Sequence, residues 1–396
     1  MTLAPTWQRN VSGPAMHALV IGVAGYPSAK KGQGFDATLR GVEDVACTVA
    51  AARCMADWLF DNKDSLTPPL ASIDLLLSDA PADPSRAAYP IRLQPQAPIA
   101  GATANSVEKH GRAWHGRFST GDSALFFISG HGAMSGNDAV VFLSDLNSDP
   151  FDPWGAHLNI SETARALKGD QRLTAAFFFS DACQEYSQRF AQVRHGDGIR
   201  IVPPQDPFLL GNARDKVSFI TAASQGLETL EADWSVNPRV KMGRFTQVLL
   251  QALDGASARQ LNGRWAVYAE SIVADLKNLY RLRNWTDVFE PSPVLGQNER
   301  FSIVQHTQPK VPIVVKTKPP ERFPDCSLEI FLPPDRSQPA IQHCGPGYGG
   351  PNHHWEVWLA ASIWPHLVVA THADTKSALA FFTPYEPIFG QTIAFS

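Results

Sequence analysis

Five short runs of apolar residues limit the fold of this chain more than any other feature of its sequence. Each run lacks the alternation of a strand with one solvated face, and each is far too short to span a bilayer. Such runs are typical of strands that are buried on both faces. The runs are His17–Val23, Ile73–Leu77, Ser123–Ser129, Leu173–Phe179 and Val217–Thr221.

Helical patterns separate these runs. Apolar residues recur at helical spacing between them, and Thr103 and Ser161 are placed to cap two of the helices. Strands that alternate with helices predict an α/β fold, with a mostly parallel sheet flanked by helices on both faces. The predicted helices are Thr38–Phe60, Thr103–Arg117, Ser161–Leu167, Arg244–Leu253 and Val267–Leu282.

The pattern changes near residue 306. Nine of the 31 prolines lie between Pro309 and Pro346, and the residues beyond them show short strands without a helical period. We therefore predict a large α/β domain over residues 14–305 and a proline-rich linker over 306–321. A small all-β, sandwich-like domain is expected over 322–396.

Composition excludes several classes of protein. The net charge of −4 gives no basic field for nucleic acid or an anionic membrane. Five cysteines without regular spacing argue against a disulfide scaffold. The first residues show no charged segment followed by an apolar one, so no targeting signal is visible. A cytoplasmic protein with reduced thiols is expected.

Polar residues follow two of the apolar runs. The third run leads into Ser129–Gly132 and the fourth into Ser180–Cys183. Active groups collect at the carboxyl ends of parallel strands, so His131 and Cys183 are expected to meet there. A histidine can activate a thiol within hydrogen-bond reach. The N–H groups of Gly132 and Cys183 are natural donors to an oxyanion.

With these motifs, residues 14–305 resemble the caspase-like cysteine peptidases, the clan of caspases, metacaspases and their bacterial relatives. The histidine of that clan lies about 50 residues before the nucleophile, and here the separation is 52 positions. The Asp181–Cys183 motif is closer to the Asp-x-Cys of metacaspases. Residues 39–45, 221–224, 243–246 and 293–295 also resemble segments of the family. The resemblance implies a caspase-like fold and a cysteine endopeptidase, with His131 as general base and Cys183 as nucleophile.

The resemblance also implies a substrate pocket. In metacaspases, residues matching Asp44, Ser129 and Asp181 bind a basic P1 side chain, which predicts cleavage after Arg or Lys. Specificity for Asp at P1 remains the alternative, since caspases hold an aspartate with arginines and Arg40 lies near Asp44. Gln184–Glu185 also replaces the His-Ser-Gly that follows the metacaspase cysteine.

Two loops match family segments that control activity. In relatives, the segment corresponding to Tyr186–Asp215 is often autoprocessed, which would make this chain a zymogen; a plain surface loop is the alternative. Trp234 could form a wall of the substrate cleft, or only anchor its own loop. The arginines that offer cleavage sites in the first loop are Arg189, Arg194, Arg200 and Arg214.

The expected partners are a protein substrate and a regulatory protein bound through the C-terminal domain. The chemistry should require no cofactor, although some relatives are activated by calcium, and no zinc-like ligand spacing is visible. Bacterial relatives act in antiviral defence or cell death, a context that only the resemblance implies. The alternative from another class is a caspase-fold interaction module without catalysis.

Overall fold

The computed structural model describes most of the chain. The described residues are 3–30, 32–39, 42–45, 47–80, 89–183, 198–204, 216–222, 231–233, 240–283, 285, 292–295, 301–332, 341–342, 354–374 and 377–395. The chain divides into two compact units. The first comprises Met1–Leu250 and Leu279–Val304, and the second comprises Gln251–Asn278 and Gln305–Ser396. The predicted boundary at 305 lies beside the division between Val304 and Gln305, whereas residues 251–278 are grouped with the C-terminal residues and not with the large domain.

The helices and strands follow one another along the chain. The helices are α1 (Cys47–Asp61), α2 (Ala104–Gly116), α3 (Ile160–Lys168), α4 (Arg244–Gln251) and α5 (Ala269–Leu282). The first strands are β1 (Trp7–Gln8), β2 (Met16–Val23), β3 (Leu70–Ser78), β4 (Asp122–Gly130), β5 (Gly132–Ser135), β6 (Asp138–Phe142), β7 (His157–Asn159), β8 (Leu173–Ala182), β9 (Val217–Thr221), β10 (Glu231–Asp233) and β11 (Lys241–Gly243). The later strands are β12 (Ala258–Leu261), β13 (Arg264–Tyr268), β14 (Ser292–Leu295), β15 (Ser302–His306), β16 (Lys310–Lys318), β17 (Cys326–Phe331), β18 (Ile341–Gln342), β19 (His354–Ala360), β20 (His366–His372), β21 (Ser377–Phe382) and β22 (Ile388–Ala394).

A seven-stranded sheet forms the centre of the first unit. Its strand order is β1-β3-β2-β4-β8-β9-β14. The five inner strands are parallel, and the two edge strands are antiparallel to them. All five apolar runs of the sequence form these inner strands. The mostly parallel sheet that the sequence predicts is therefore confirmed.

Helices cover both faces of this sheet. Ile21 of β2 belongs to a hydrophobic core that includes Trp114 of α2 and Leu167 of α3. The next residue, Gly22, faces the other side, where a Cβ atom would lie 2.7 Å from the Cβ of Ala52 on α1. Because successive side chains of a strand point to opposite faces, α1 lies on one face and α2 and α3 on the other.

The second unit contains a β-sandwich. One sheet has the order β19-β16-β22 and the other the order β18-β17-β20-β21. Alternate residues of β16 and β17 are buried in one shared core, which is how two packed sheets exclude water. These residues are Val311, Ile313 and Val315 on β16 and Cys326, Leu328 and Ile330 on β17. The prediction of a small all-β region is confirmed.

Three local predictions differ from the structure. The helix predicted from Thr38 begins at Cys47, because Val45 donates its backbone N–H to Ala24 O (2.8 Å) instead of entering a helix. Asn159, not Ser161, caps α3, since Ser161 Oγ accepts the N–H of Ala139. Within the predicted linker 306–321, residues 310–318 form β16, a strand with partners on both sides.

Candidate active site

The topology brings the two predicted reactive residues to one edge of the sheet. Strands β4 and β8 are parallel neighbours, with Ser129 opposite Asp181 and Gly130 opposite Ala182. His131 and Cys183 each follow at the next position. Both strands are buried apart from Thr174 near the start of β8, so both residues emerge where the apolar core ends.

Gly132 and Cys183 are pressed together by their backbones. A Cβ atom on Gly132 would overlap the carbonyl oxygen of Cys183 and would lie 3.0 Å from the Cβ of Ala182. Only glycine allows this approach. The thiol-bearing residue itself is half-buried. The loop that carries His131 is therefore held directly against the end of β8.

The Gly132 N–H group is directed away from the neighbouring strand β6. Phe142 donates its N–H to the His131 carbonyl (2.9 Å), and Gly132 lies opposite Val141 in the antiparallel ladder. Pairs in such a ladder alternate between hydrogen-bonded and non-hydrogen-bonded, and this contact makes Gly132 and Val141 the second kind. The Gly132 N–H can therefore serve as a donor outside the hairpin.

The imidazole of His131 has a defined orientation. Its Nε2 lies 2.8 Å from the carbonyl oxygen of Glu43. Because a carbonyl oxygen can only accept, Nε2 is the protonated nitrogen and Nδ1 carries the lone pair. Burial lowers the pKa of His131, and the bond to the Glu43 carbonyl partly offsets that effect. A neutral imidazole with a lone pair on Nδ1 is suited to remove a proton from a thiol.

The two carboxylates of the predicted substrate pocket each have a partner. Asp44 accepts the backbone N–H of Tyr26 (3.0 Å) and pairs with Lys30, whose Nζ lies 2.9 Å from Asp44 Oδ2. Asp181 is buried and accepts the hydroxyl of Thr246 at 2.5 Å. A Cβ atom on Gly243 would overlap Asp181 Oδ2. Asp44 lies in the loop before α1, not on the helix as predicted.

Ser129 is buried on the same face of the sheet as Asp181. The two residues are in register on parallel neighbouring strands, and such neighbours project to the same side. Ser129 is 2% exposed. The structure thus brings Ser129 and Asp181 together, while Asp44 approaches the site from the loop that contacts His131.

Several predicted features lie outside the described residues. These are Trp234, Arg189, Arg194, Arg214 and Gln184–Glu185, so the proposed cleft wall and most of the autoprocessing loop have no description. Arg200 is described, and its side chain is 43% exposed. The preceding residue, Ile199, donates its N–H to His157 O (2.9 Å) and so ties this segment to β7.

The sequence analysis missed Tyr26 as a residue of the site. Tyr26 is fully buried, and its ring centroid lies 5.2 Å from that of His131. The available signal was topological: β2 is the neighbour of β4, with Gly22 opposite Ser129. The turn after β2 must therefore lie beside the turn that carries His131.

A second group of catalytic residue types lies at the opposite edge of the sheet. Ser72 Oγ is 2.8 Å from His17 Nδ1, and His17 Nε2 is 3.4 Å from Asp122 Oδ2. All three are at least nine-tenths buried. Asp122 also accepts the N–H of Ala15 (2.8 Å). Because the three side chains are buried and bonded to one another, we assign them a structural role in tying the starts of three strands together.

Within the described ranges, no cluster of three or more His, Cys, Asp or Glu side chains is arranged to hold a metal ion. Among the same residues, no helix combines the length and the apolar character needed to cross a membrane.

No family model matches the chain, and no curated protein matches it. Among solved structures, one match is the crystal structure of a protein from Geobacter sulfurreducens. The two share 15% sequence identity and a TM-score of 0.40, over 72% of this chain and 94% of the other. At that identity and score the match implies nothing about activity.

Proposed function

We propose that this protein is a caspase-like cysteine endopeptidase with Cys183 as nucleophile and His131 as general base. The observation that carries the proposal is the register of β4 and β8, which pairs Gly130 with Ala182 one residue before the dyad. The close approach of Gly132 to Cys183 supports it. So does the Nε2–H bond of His131 to Glu43, which leaves Nδ1 as the basic nitrogen.

The proposed reaction passes through an acyl-enzyme. His131 Nδ1 takes the proton of the Cys183 thiol, and the sulfur attacks the carbonyl carbon of the scissile peptide bond. The N–H groups of Gly132 and Cys183 stabilise the oxyanion of the tetrahedral intermediate. His131 then gives its proton to the leaving amine as the C–N bond breaks. Water, activated by the same imidazole, hydrolyses the thioester and regenerates the thiol.

The proposed substrates have Arg or Lys at P1. Asp44 supports this choice because its carboxylate already accepts an ammonium group, that of Lys30. Asp181 supplies a second carboxylate on the face of the sheet that carries Ser129. Carboxylates favour a guanidinium or ammonium group and repel an acidic side chain. We expect the chemistry to need no cofactor. Activation by calcium, autoprocessing within 186–242 and recruitment through the β-sandwich are further predictions.

Peptide cleavage and cysteine labelling together test the proposal. Purified protein is first checked by intact mass for cuts within 186–242, and is then incubated with fluorogenic peptides ending in Arg, Lys or Asp, with and without calcium. We expect cleavage after Arg or Lys. Cys183→Ala and His131→Ala should abolish it.

A second cysteine provides the matched control. Burial raises the pKa of the Cys54 thiol to about 12, so Cys54→Ala should keep both cleavage and labelling by a peptidyl electrophile. Cleavage after Asp alone would overturn the pocket assignment. Absence of cleavage under every condition, together with no labelling of Cys183, would overturn the proposed enzyme.

A further inference from the structure

The hydroxyl of Tyr26 bridges His131, just before β5, and Phe142, at the end of β6. It accepts the backbone N–H of His131 at 2.9 Å and lies 3.4 Å from the carbonyl oxygen of Phe142, to which it donates. Phe142 in turn donates its N–H to the carbonyl of His131 at 2.9 Å. In a regular ladder His131 would bond Phe142 directly on both sides, and here the phenol completes the second bond.

The rest of Tyr26 contacts the imidazole on one side and the loop of Asp44 on the other. Its ring lies beside the ring of His131 at a centroid distance of 5.2 Å and an angle of 52°. Its backbone N–H donates to Asp44, and the residue before Asp44 is Glu43, whose carbonyl accepts His131 Nε2–H. One buried residue therefore fixes the backbone of His131 and also the loop that orients the ring.

The phenol of Tyr26 is suited to this bridging role. Its side chain is fully buried, and burial raises its pKa above the ordinary value for tyrosine. The O–H group thus stays protonated, and can donate and accept at once over the whole range in which an imidazole titrates. A fixed donor and acceptor in a dry site hold their partners without competition from water.

We infer that Tyr26 is a positioning residue for His131, holding the imidazole in its Nε2–H form with Nδ1 available to Cys183. This inference rests on the proposed function, because it assigns His131 the role of base. In this role Tyr26 is not a reacting group. It acts through the orientation of the histidine.

Tyr26→Phe tests the inference because it deletes only the bridging oxygen. A misplacement of about 1 Å at a catalytic group costs on the order of a hundredfold in rate. We expect kcat for an Arg-terminated peptide to fall between about tenfold and a hundredfold, with KM within about twofold of wild type. An unchanged kcat would overturn the inference.

Tyr89→Phe is the matched control. Its hydroxyl is also directed to a buried partner, Asp57 Oδ2 at 3.0 Å, and Tyr89 lies on the segment that follows β3. This variant should lose stability and leave kcat unchanged. A fall in kcat of equal size in both variants would mean that loss of any buried hydroxyl is sufficient, which would overturn a specific role for Tyr26.

A spectroscopic readout separates this inference from the proposed peptidase activity. In protein labelled with ¹⁵N-histidine, the ring signals of His131 are assigned by their loss in His131→Gln. Wild type should show the Nε2–H tautomer alone, and Tyr26→Phe should show a mixture of both tautomers. If the wild type cleaves no peptide, the proposed function fails, but this measurement still decides: a pure Nε2–H tautomer in Tyr26→Phe would overturn the inference.

Discussion

The backbone of Gly132 lies against the backbone of Cys183, so that any side chain at Gly132 would overlap the Cys183 carbonyl oxygen. This contact joins the loop after β4 to the end of β8. The shape of the candidate site therefore requires glycine at this position, because glycine alone has a hydrogen atom in place of the Cβ carbon.

Gly132→Ala should therefore damage the site more than the fold. Forcing a methyl group into a packed region costs about 1–3 kcal/mol of unfolding free energy. Because the collision is with Cys183 itself, peptide cleavage should fall on the order of a hundredfold or more. Urea unfolding and the rate of probe labelling at Cys183 measure the two effects.

Gly116→Ala is the control for this substitution. Gly116 is the last residue of α2, and a Cβ atom there would meet nothing within 4 Å. Alanine at this position should leave cleavage unchanged and alter stability by less than about 1 kcal/mol. If Gly132→Ala labels Cys183 as fast as wild type, the close approach has no role in the site.

The Lys30–Asp44 ion pair gives a test of the proposed substrate pocket. If Asp44 binds a basic P1 side chain, Lys30 competes with the substrate for the same carboxylate. A partly exposed pair contributes at most about 1 kcal/mol, so Lys30→Met should lower KM for an Arg-terminated peptide by no more than about fivefold. We expect kcat to stay unchanged.

Lys63→Met is the comparison for Lys30→Met. Lys63 Nζ lies 4.8 Å from the centre of the Phe60 ring, just after α1, and its removal should leave both kinetic constants unchanged. A higher KM for an Asp-terminated peptide in Lys30→Met would contradict the prediction, because it would show that Lys30 binds acidic P1 side chains. Asp44 would then have no role as a pocket for basic residues.

The bond between Thr246 and Asp181 should support the same pocket. Thr246→Val keeps the shape of the side chain and removes the hydroxyl that donates to Asp181. Loss of a hydrogen bond to a buried carboxylate costs about 1.5–3 kcal/mol of stability. The Asp181 carboxylate should also move once this bond is lost, raising KM for Arg-terminated peptides, and Thr246→Ser should restore both properties. A variant as stable as wild type would show that the bond contributes nothing.

The sequence was sufficient to predict that the two residues of the proposed dyad follow the ends of core strands. Uninterrupted apolar runs before Ser129 and Ser180 mark strands buried on both faces, and polar residues can follow only where the sheet ends. The adjacency of β4 and β8 then brings their ends together. The apolar runs could not predict the contact of Gly132 with Cys183, because that contact depends on the conformation of the loop between two strands.

The start of α1 shows why local periodicity has limits. Leu39, Val42 and Val45 repeat at helical spacing, yet Leu39 ends a short 3₁₀ helix, residues 42–45 are not helical, and α1 begins only at Cys47. The Glu43 carbonyl accepts the Nε2–H of His131, and the Asp44 carboxylate accepts the Tyr26 N–H and pairs with Lys30. These partners lie far away in sequence, so contacts within the fold replace the helix that the pattern favours.

The prediction of a linker around β16 was wrong for a different reason. Proline has no N–H for a sheet ladder, so a proline-rich stretch indicates a linker. Pro312 nonetheless lies in β16 opposite Trp358, and the parallel pairing with β22 begins one residue later, at Ile313. The strand therefore tolerates proline before its second partner joins, and burial of Val311, Ile313 and Val315 in the sandwich core decides the outcome.

Acidification should destabilise the first unit through His131. Burial holds the pKa of His131 below its ordinary value of 6.5, so between the two pKa values the unfolded chain binds more protons than the folded one. Stability is then fully present above about pH 6.5 and falls as the pH drops through 6.5 toward the lower, folded pKa. His131→Gln should remove the loss of stability that His131 causes. Some dependence of stability on pH should remain, because the pKa of buried His17 is also lowered. The free energy of unfolding in urea, measured at pH 5 and pH 7.5, gives the loss for each protein. An equal loss in wild type and variant would mean that His131 titrates normally in the folded protein.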